Sequence, residues 1–446
     1  MANIVEPVHR SIYVTKEEEG VIEHPAFQRL RRIKQLSSVQ LIFPAALHSR
    51  FVHSIGVMHV ASRICDALLS DSKHILFFRR YLRLAGLLHD IGHGPYSHQF
   101  EKFTKSIATN GDLKENLKTP QEWIKGNPDK YYRAKLKHEA MSIGIIKRIF
   151  EEMGSDIESQ SICCLIDENI KPGPLLEEKL HDHFGNQEQG LKILKSIISS
   201  EIDADRIDYL LRDAYFTGVV AGSVDLEHLL NSISLKNDGT GWFISLKQNC
   251  VSAVEQLLIG RKAMFDQVYT HPVNALFGDI LGQILLEHPG SIVAKDELLN
   301  YKSYINLTDE VVFARIQERC GQKEVDNRLC KLFVSGVIPE KVGEAKIVDL
   351  EHKSAYISQL TATLKPSTKL HGFDLKPLTG LRSEESVIKV FDPAKNSYEP
   401  LADRSSLIKS SYKAKDEALL VVFEDYTSTT IESKVDAALK ILGIAA

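Results

Sequence analysis

The stretch "LRLAGLLHDIGHGPYSHQF", residues 82–100, constrains this chain more than any other. Leu84, Leu87 and Leu88 mark a buried helical face, so the helix carries His89 and Asp90 out of an apolar interior. Gly92, Gly94 and Pro95 end the helix and let the backbone turn tightly, with His93 and His98 following the pair. A rigid, greasy helix that terminates in imidazole and carboxylate groups reads as a scaffold delivering ligands.

The chain has 446 residues, more than one small core fills, so two domains are expected. Residues 1–290 read as a mainly helical core. "HSIGVMHVASRICDALL" carries two apolar stripes that make a wide buried face, "FQRLRRIKQL" is basic and amphipathic, and helical stretches follow at 138–153, 189–215 and 251–271. The polar, Gly- and Pro-broken segment 105–135 reads as an inserted loop. Residues 291–446 read as a smaller mixed α/β domain, with "ESVIKVFD" and "EALLVVFED" as strands and "SKVDAALKILGI" as a closing helix; "GWFISLK" at 241–247 is already strand-like. The fold class expected is therefore mainly α, a helical core with a smaller C-terminal α/β domain.

A net charge of −4 gives no general footprint for nucleic acid or membranes. "RLRRIKQL" groups Arg29, Arg31, Arg32 and Lys34, which suits a solvated or subunit-contacting face better than a nucleic-acid site. The six cysteines form no CxxC pair, and Cys163 and Cys164 are adjacent, which suits reduced thiols rather than a structural bridge. No run is apolar and long enough to span a bilayer, and the N-terminus lacks a basic region followed by an apolar stretch. A cytoplasmic protein is expected.

Seven of the 17 histidines fall between residues 48 and 98: His48, His53, His59, His74, His89, His93 and His98. His59 and His74 read as ordinary hydrogen-bonded residues. His53 opens its helix beside Arg50, a placement suited to an anionic ligand. His89-Asp90 is the sharper signal, because neutral imidazole with carboxylate suits a divalent cation such as manganese, iron, cobalt or zinc. Two neighbouring ligands rarely complete a site, so further carboxylate must arrive from elsewhere. "SSEIDADRIDYLLRDAYFTG", residues 199–218, supplies it: Asp205, Tyr209 and Asp213 recur every four residues on one helical face. Spacing alone leaves Asp203, Asp205 and Asp208 as alternatives.

The ordered set "RFVHSIGV", "LLHDIGHGPYSHQFE", "HEAMS" and "IDADRIDYLLRD" resembles the HD-domain phosphohydrolases. Within them it is similar to the deoxynucleoside triphosphate triphosphohydrolase branch, the dGTPase-like enzymes. "EPVHRSIYV", "HPAFQRLRRIKQL" and "FDPAKNSYEPLADRSSLIKSS" extend the likeness over nearly the whole chain. The resemblance implies one divalent ion (manganese, magnesium, iron, cobalt or zinc) held by His53, His89, Asp90 and Asp205, which selects Asp205 among the three aspartates. It implies that His93, His98 and His138 surround the phosphates and the attacking water. His98 is the first choice for protonating a leaving oxygen, with His138 and Glu139 as a relay. Arg50 and Arg206 match phosphate-gripping positions, Arg206 standing where relatives often have lysine. Gln35 and Asp213 would bond a sugar 3′-hydroxyl, Leu36 and Tyr209 would shape the sugar pocket, and His271 resembles a further active-site histidine. The implied partners are a dNTP substrate, nucleotide effectors between subunits, and copies of the same chain in a tetramer-like homo-oligomer. The competing readings are a two-metal phosphodiesterase or nucleotidase of the same superfamily, and a nucleotide- or nucleic-acid-binding regulator.

Overall fold

The computed structural model describes residues 2–109, 138–200, 202–220, 225–288, 290–294, 297–298, 300–322, 328–339, 341–347, 368–375, 388–392, 395–411 and 417–424. Most of the expected inserted loop and the expected closing helix lie outside these residues. The fold is mainly α, with small sheets toward the C-terminal part.

Two helices, Arg50–Leu69 and Ile75–Leu88, pack together as the centre of the core. Gly86 lets them approach, since an added Cβ would lie 3.1 Å from the Val57 and Met58 backbone. The first helix is buried on almost every side, as its two apolar stripes require. The helix Ala204–Thr217 crosses it, capped by the Asp203 carboxylate and ended by Gly218 at φ +76°. Where they cross, Gly56 makes room for Asp208: an added Cβ would stand 1.8 Å from that carboxylate. Stretch 189–215 is thus two helices, Gln187–Ile198 and Ala204–Thr217, rather than one.

Ahead of the core, β1 (Ala2–Glu6) and β2 (Arg10–Val14) form an antiparallel hairpin. "FQRLRRIKQL" departs from the helical expectation. It makes one α turn, Pro25–Gln28, and one 3-10 turn, Arg29–Arg32, then extends at Ile33. The reason is pairing with the approach to the central helix. Arg50 N donates to Ile33 O at 2.9 Å and Gln35 N to His48 O at 3.0 Å, which sets Gln35, His48 and Arg50 side by side.

A four-stranded sheet runs β3 (Ile233–Asn237), β4 (Trp242–Leu246), β7 (Ile388–Asp392), β8 (Ser397–Pro400). Its β4–β7 pair is parallel, in the register Ile244↔Ile388. The other sheet orders β5 (Lys341–Ile347), β9 (Glu417–Glu424) and β6 (Thr368–Leu375), all antiparallel. The strands expected from "GWFISLK", "ESVIKVFD" and "EALLVVFED" are β4, β7 and β9. Chain on both sides of residue 290 contributes to the first sheet and to one hydrophobic cluster, which includes Tyr304, Leu307, Val312 and Ile316.

The turn that carries Asp90 and His93 is packed against the His138–Glu152 helix. Gly92 lies so close that a Cβ there would be 2.1 Å from the His138 carbonyl oxygen and 2.3 Å from Ser142 N. Overpacking of this kind costs about 1–3 kcal/mol. We expect Gly92→Ala to lower unfolding stability by that amount in urea titrations. Gly282→Ala, whose Cβ would meet nothing within 4 Å, should leave stability unchanged or raise it by up to about 1 kcal/mol.

Candidate metal centre and its catalytic surroundings

His89 and Asp90 follow directly on the last turn of the Ile75–Leu88 helix, and His53 sits in the first turn of the Arg50–Leu69 helix. Asp205 joins them from the start of the Ala204–Thr217 helix. The Asp205 Oδ1 atom lies 3.0 Å from His53 Nε2 and 3.5 Å from His89 Nε2. Asp90 oxygens lie 3.6 Å and 3.4 Å from the same two nitrogens. Both Nε2 atoms are buried and face a common point among these carboxylate oxygens. Bonds of about 2.1 Å to a cation at such a point separate neighbouring donors by roughly 3.0–3.4 Å. His53, His89 and Asp90 place donor atoms within 4.8 Å of one another and could hold a metal ion, and Asp205 approaches both histidines from beside that group.

The opposite face of each ring is fixed. His89 Nδ1 donates to the Gly86 carbonyl at 2.8 Å, and His53 Nδ1 to the Asp208 carboxylate at 2.8 Å. Both acceptors lack a proton to give, so Nδ1 must carry the hydrogen and Nε2 faces the common point. Burial opposes a charge on His53, yet Asp205 and Asp208 outweigh it and push its pKa up to about 10. A cation binding there displaces that proton. Burial also opposes ionisation of Asp90, but His89 and Arg50 hold its carboxyl well below the usual range.

Beside this centre stands a second group. His93 and His138 stack with ring centroids 3.8 Å apart, and His98 meets His93 edge-on at 4.8 Å. All three direct Nδ1 at Glu101 Oε1: His138 in a short contact, His98 at 3.6 Å and His93 at 3.8 Å. Burial works against a charged Glu101, but His138 and His98 keep its carboxyl well below its ordinary range. Burial, with Arg50 and His138 adding like charge, pushes the His93 pKa down, so its ring is neutral. The His98 side chain is 70% exposed, which leaves its ring open to a ligand. Glu139 Oε2 is 3.5 Å from His138 Nδ1, farther than Glu101.

Arg50 is buried and directed inward, Nη1 onto Asp90 and Nε onto Ser97 Oγ at 2.7 Å. Arg206 Nε lies 3.3 Å from Asp203 Oδ2. Asp213 is gripped by His48 Nε2 at 2.8 Å and the Tyr269 hydroxyl at 2.6 Å. Nearby, Gln35 Oε1 is buried and unpaired, Leu36 is buried, and the Tyr209 hydroxyl accepts from Arg261 Nε at 3.2 Å. His271 caps the Pro272–Glu287 helix, accepting from Val273 N at 3.3 Å.

Several residues in this site gave no functional signal in the sequence. Glu101 is three residues after His98 on one helix face, a spacing that could have found it. Arg212 lies one helical turn after Asp208, which spacing left as an alternative ligand, whereas His9, His48 and Tyr269 reach the site only through tertiary contacts. Arg29 is a correction: it is buried rather than solvated, donating to Ile91 O at 2.9 Å, His93 O at 2.7 Å and Leu307 O at 3.2 Å. The Ile91 and His93 carbonyls, left open by the glycine turn, need a multivalent donor. Arg31 and Arg32 are exposed, as expected of that segment.

The family model for the HD domain matches residues 50–213. Uncharacterized protein YwfO of Bacillus subtilis is 31% identical over 379 residues, covering 81% of this chain and 75% of that protein. Deoxynucleoside triphosphate triphosphohydrolase SAMHD1 of Homo sapiens is 28% identical over 296 residues, covering 64% of this chain and 44% of that protein. Uncharacterized protein MJ1154 of Methanocaldococcus jannaschii is 30% identical, with 74% of this chain aligned to 58% of its length. The chain thus spans only about half of these last two relatives. A hypothetical protein from Aquifex aeolicus has a crystal structure with a TM-score of 0.71 and 23% identity, covering 98% of this chain and 99% of that one. No helix among the described residues is long and apolar enough to cross a membrane.

His59 lies behind the centre with its ring 5.3 Å from that of His9. Burial, then the charges of His9, Arg63 and Arg83, pushes its pKa down to about 4. The unfolded chain therefore takes up this proton first, so the stability linked to His59 is complete above about pH 6.5 and is lost as the pH falls toward 4. We expect the drop between pH 7.5 and 4.5, read from urea melts, to shrink by roughly 1–2 kcal/mol in His59→Gln, partial exposure having reduced the full effect.

Proposed function

The chain belongs to the HD-domain family, and from that premise we propose that it hydrolyses deoxynucleoside triphosphates to deoxynucleoside and tripolyphosphate. The observation that carries this reading is the junction of the two side-chain groups. Asp90 Oδ1, from the metal-fitting set, lies 3.4 Å from His93 Nε2, from the histidine–glutamate set. A divalent cation held by the first set would stand beside the acid–base group of the second, the arrangement that water attack on a phosphorus requires. The similarity to a protein named as a dNTP triphosphohydrolase supports the choice of substrate class.

When bound by His53, His89, Asp90 and Asp205, a divalent ion of manganese, magnesium, iron, cobalt or zinc would polarise the α-phosphate and make nearby water more acidic. The chain's own residues supply the rest. Neutral His93, facing Asp90, orients the attacking water. His98 is exposed and backed by Glu101 at 3.6 Å, which places it to deliver a proton to the leaving oxygen. Water attacks the α-phosphorus and releases one proton to solvent, the bond from phosphorus to the 5′-oxygen breaks, and its electron pair leaves on that oxygen. The His98 proton then converts it to the 5′-hydroxyl. Arg50 and Arg206 would neutralise charge on the departing triphosphate. Asp213, with both oxygens already fixed by His48 and Tyr269, and Gln35 would bind the sugar 3′-hydroxyl, while Leu36 and Tyr209 crowd the 2′ position. Subunit-shared nucleotide effector sites, a homo-oligomer and a cytoplasmic setting belong to the same reading.

A second reading has one specific observation in its favour. His93, His98, Glu101 and His138 offer donor atoms within 4.8 Å of one another, a group that could hold an ion of its own. A two-metal phosphodiesterase or nucleotidase would use it so.

Product analysis tests the choice. With each dNTP and matching NTP plus manganese, singly and in mixtures, we expect deoxynucleoside and tripolyphosphate from dNTPs alone. Asp90→Ala should abolish the reaction, and His98→Gln should reduce kcat by about 10²- to 10⁴-fold with little change in KM. Release of monophosphate, or cleavage of cyclic or monophosphate substrates only, together with two bound ions per chain, would transfer the protein to the second reading.

A further inference from the structure

We propose that Asp208, gripped by His9 and Arg212, is the positioning residue that prepares His53 to bind a metal, which makes the N-terminal hairpin a working part of the centre. The inference rests on His53 being a ligand, and not on which nucleotide is cut.

Asp208 is fully buried, and both of its oxygens are doubly engaged. Its Oδ2 accepts from His53 Nδ1 at 2.8 Å and Arg212 Nε at 2.9 Å. Its Oδ1 accepts from His9 Nε2 at 2.7 Å and Arg212 Nη2 at 2.9 Å. Every lone-pair direction of the carboxylate is filled, so it cannot swing toward the metal point and can act only from behind. Arg212 Nη1 continues to Glu6 Oε2 at 2.7 Å, and Glu6 also accepts from the backbone of Val8 and His9. Glu6 and His9 close the hairpin of β1 and β2 and lie outside the segment matched by the family model. Gly56 belongs to the same device, since any side chain there would collide with Asp208 and Arg212.

A buried carboxylate with so many donors would serve as a bare ion-pair knot if it touched no ligand. Its contact with His53 Nδ1 is what gives it a further role: it locks the tautomer, aims Nε2 and raises the basicity of the ring. The hairpin matters because removing one donor leaves a buried charge short of a partner.

The test is the affinity of the full chain for Mn²⁺, read from the free-ion electron paramagnetic resonance signal with no nucleotide present. Asp208→Asn should weaken binding about 10- to 100-fold. In a His53→Gln background the same substitution should change affinity by less than about 2-fold, because the residue acts through His53. His9→Leu should lose affinity in the same direction and His9→Gln, which keeps a donor, should restore it. Should Asp208→Asn fail to fold by circular dichroism, the His9 pair measured with and without His53→Gln carries the same comparison. Equal losses in both backgrounds, or no loss from Asp208→Asn or His9→Leu, would overturn the proposal. Wild-type protein that takes up no Mn²⁺ overturns the ligand reading of His53 and this inference with it. Failure of the dNTP product analysis with these affinities intact removes only the proposed substrate.

Discussion

An imidazole can lend a lone pair to a cation only while its other nitrogen is kept as a donor, and the proposed metal centre depends on that restriction being met twice inside a buried core. His89 meets it with a backbone carbonyl one helical turn back, which the helix supplies at no extra cost. His53 has no such neighbour and meets it with Asp208, a charge brought from a different helix into a place where an isolated carboxylate would be unstable. Everything that stabilises Asp208 is consequently bound to the site: the room left by Gly56, the guanidinium of Arg212, and the hairpin that carries His9 and Glu6.

The second constraint is the turn that follows Asp90. Its glycines let the chain double back, but they leave carbonyl and amide groups buried without helical partners. Residues far away in sequence satisfy them. Arg29 takes the Ile91 and His93 carbonyls, the Tyr304 hydroxyl takes Gly92 O at 2.7 Å, and Ser142 Oγ receives Gly92 N at 2.9 Å while donating to His89 O at 2.7 Å. Asp309 holds Tyr96 N at 2.6 Å and Lys34 N at 2.9 Å, and burial pushes its pKa up to about 6. Tyr96 and Ser97 sit at φ +56° and +54°, conformations that persist only under such restraint.

Much of this was legible in the sequence because it is local. The helix ending in His89-Asp90, the glycines that break it, the helical face of Asp205, Tyr209 and Asp213 and the strand-like segments are all read from local pattern. The metal-fitting residues could be collected only because their motifs lie in recognisable order. What stayed hidden depends on tertiary contact. His48 and His9 look like ordinary histidines until Asp213 and Asp208 arrive opposite them, and Arg29 looks like one more surface cation until the turn presents its carbonyls. The 3-10 and extended course of 29–36 was hidden for the same reason: its pairing partner, 48–50, lies beyond any helical period.

The ties from Tyr304 and Asp309 to the turn, and from Leu307 to Arg29, also set an order of events in time. A ribosome adds residues from the N-terminus, so every metal-fitting side chain has been synthesised once Asp205 is added. The clamps that fix the turn around His93 and Tyr96 come about a hundred residues later, and the parallel register of β4 with β7 later still. Long-range pairings of this kind close slowly. A nascent chain would therefore hold the ingredients of its chemistry well before it holds them still, and its reactive geometry would arrive as one of the last acts of folding.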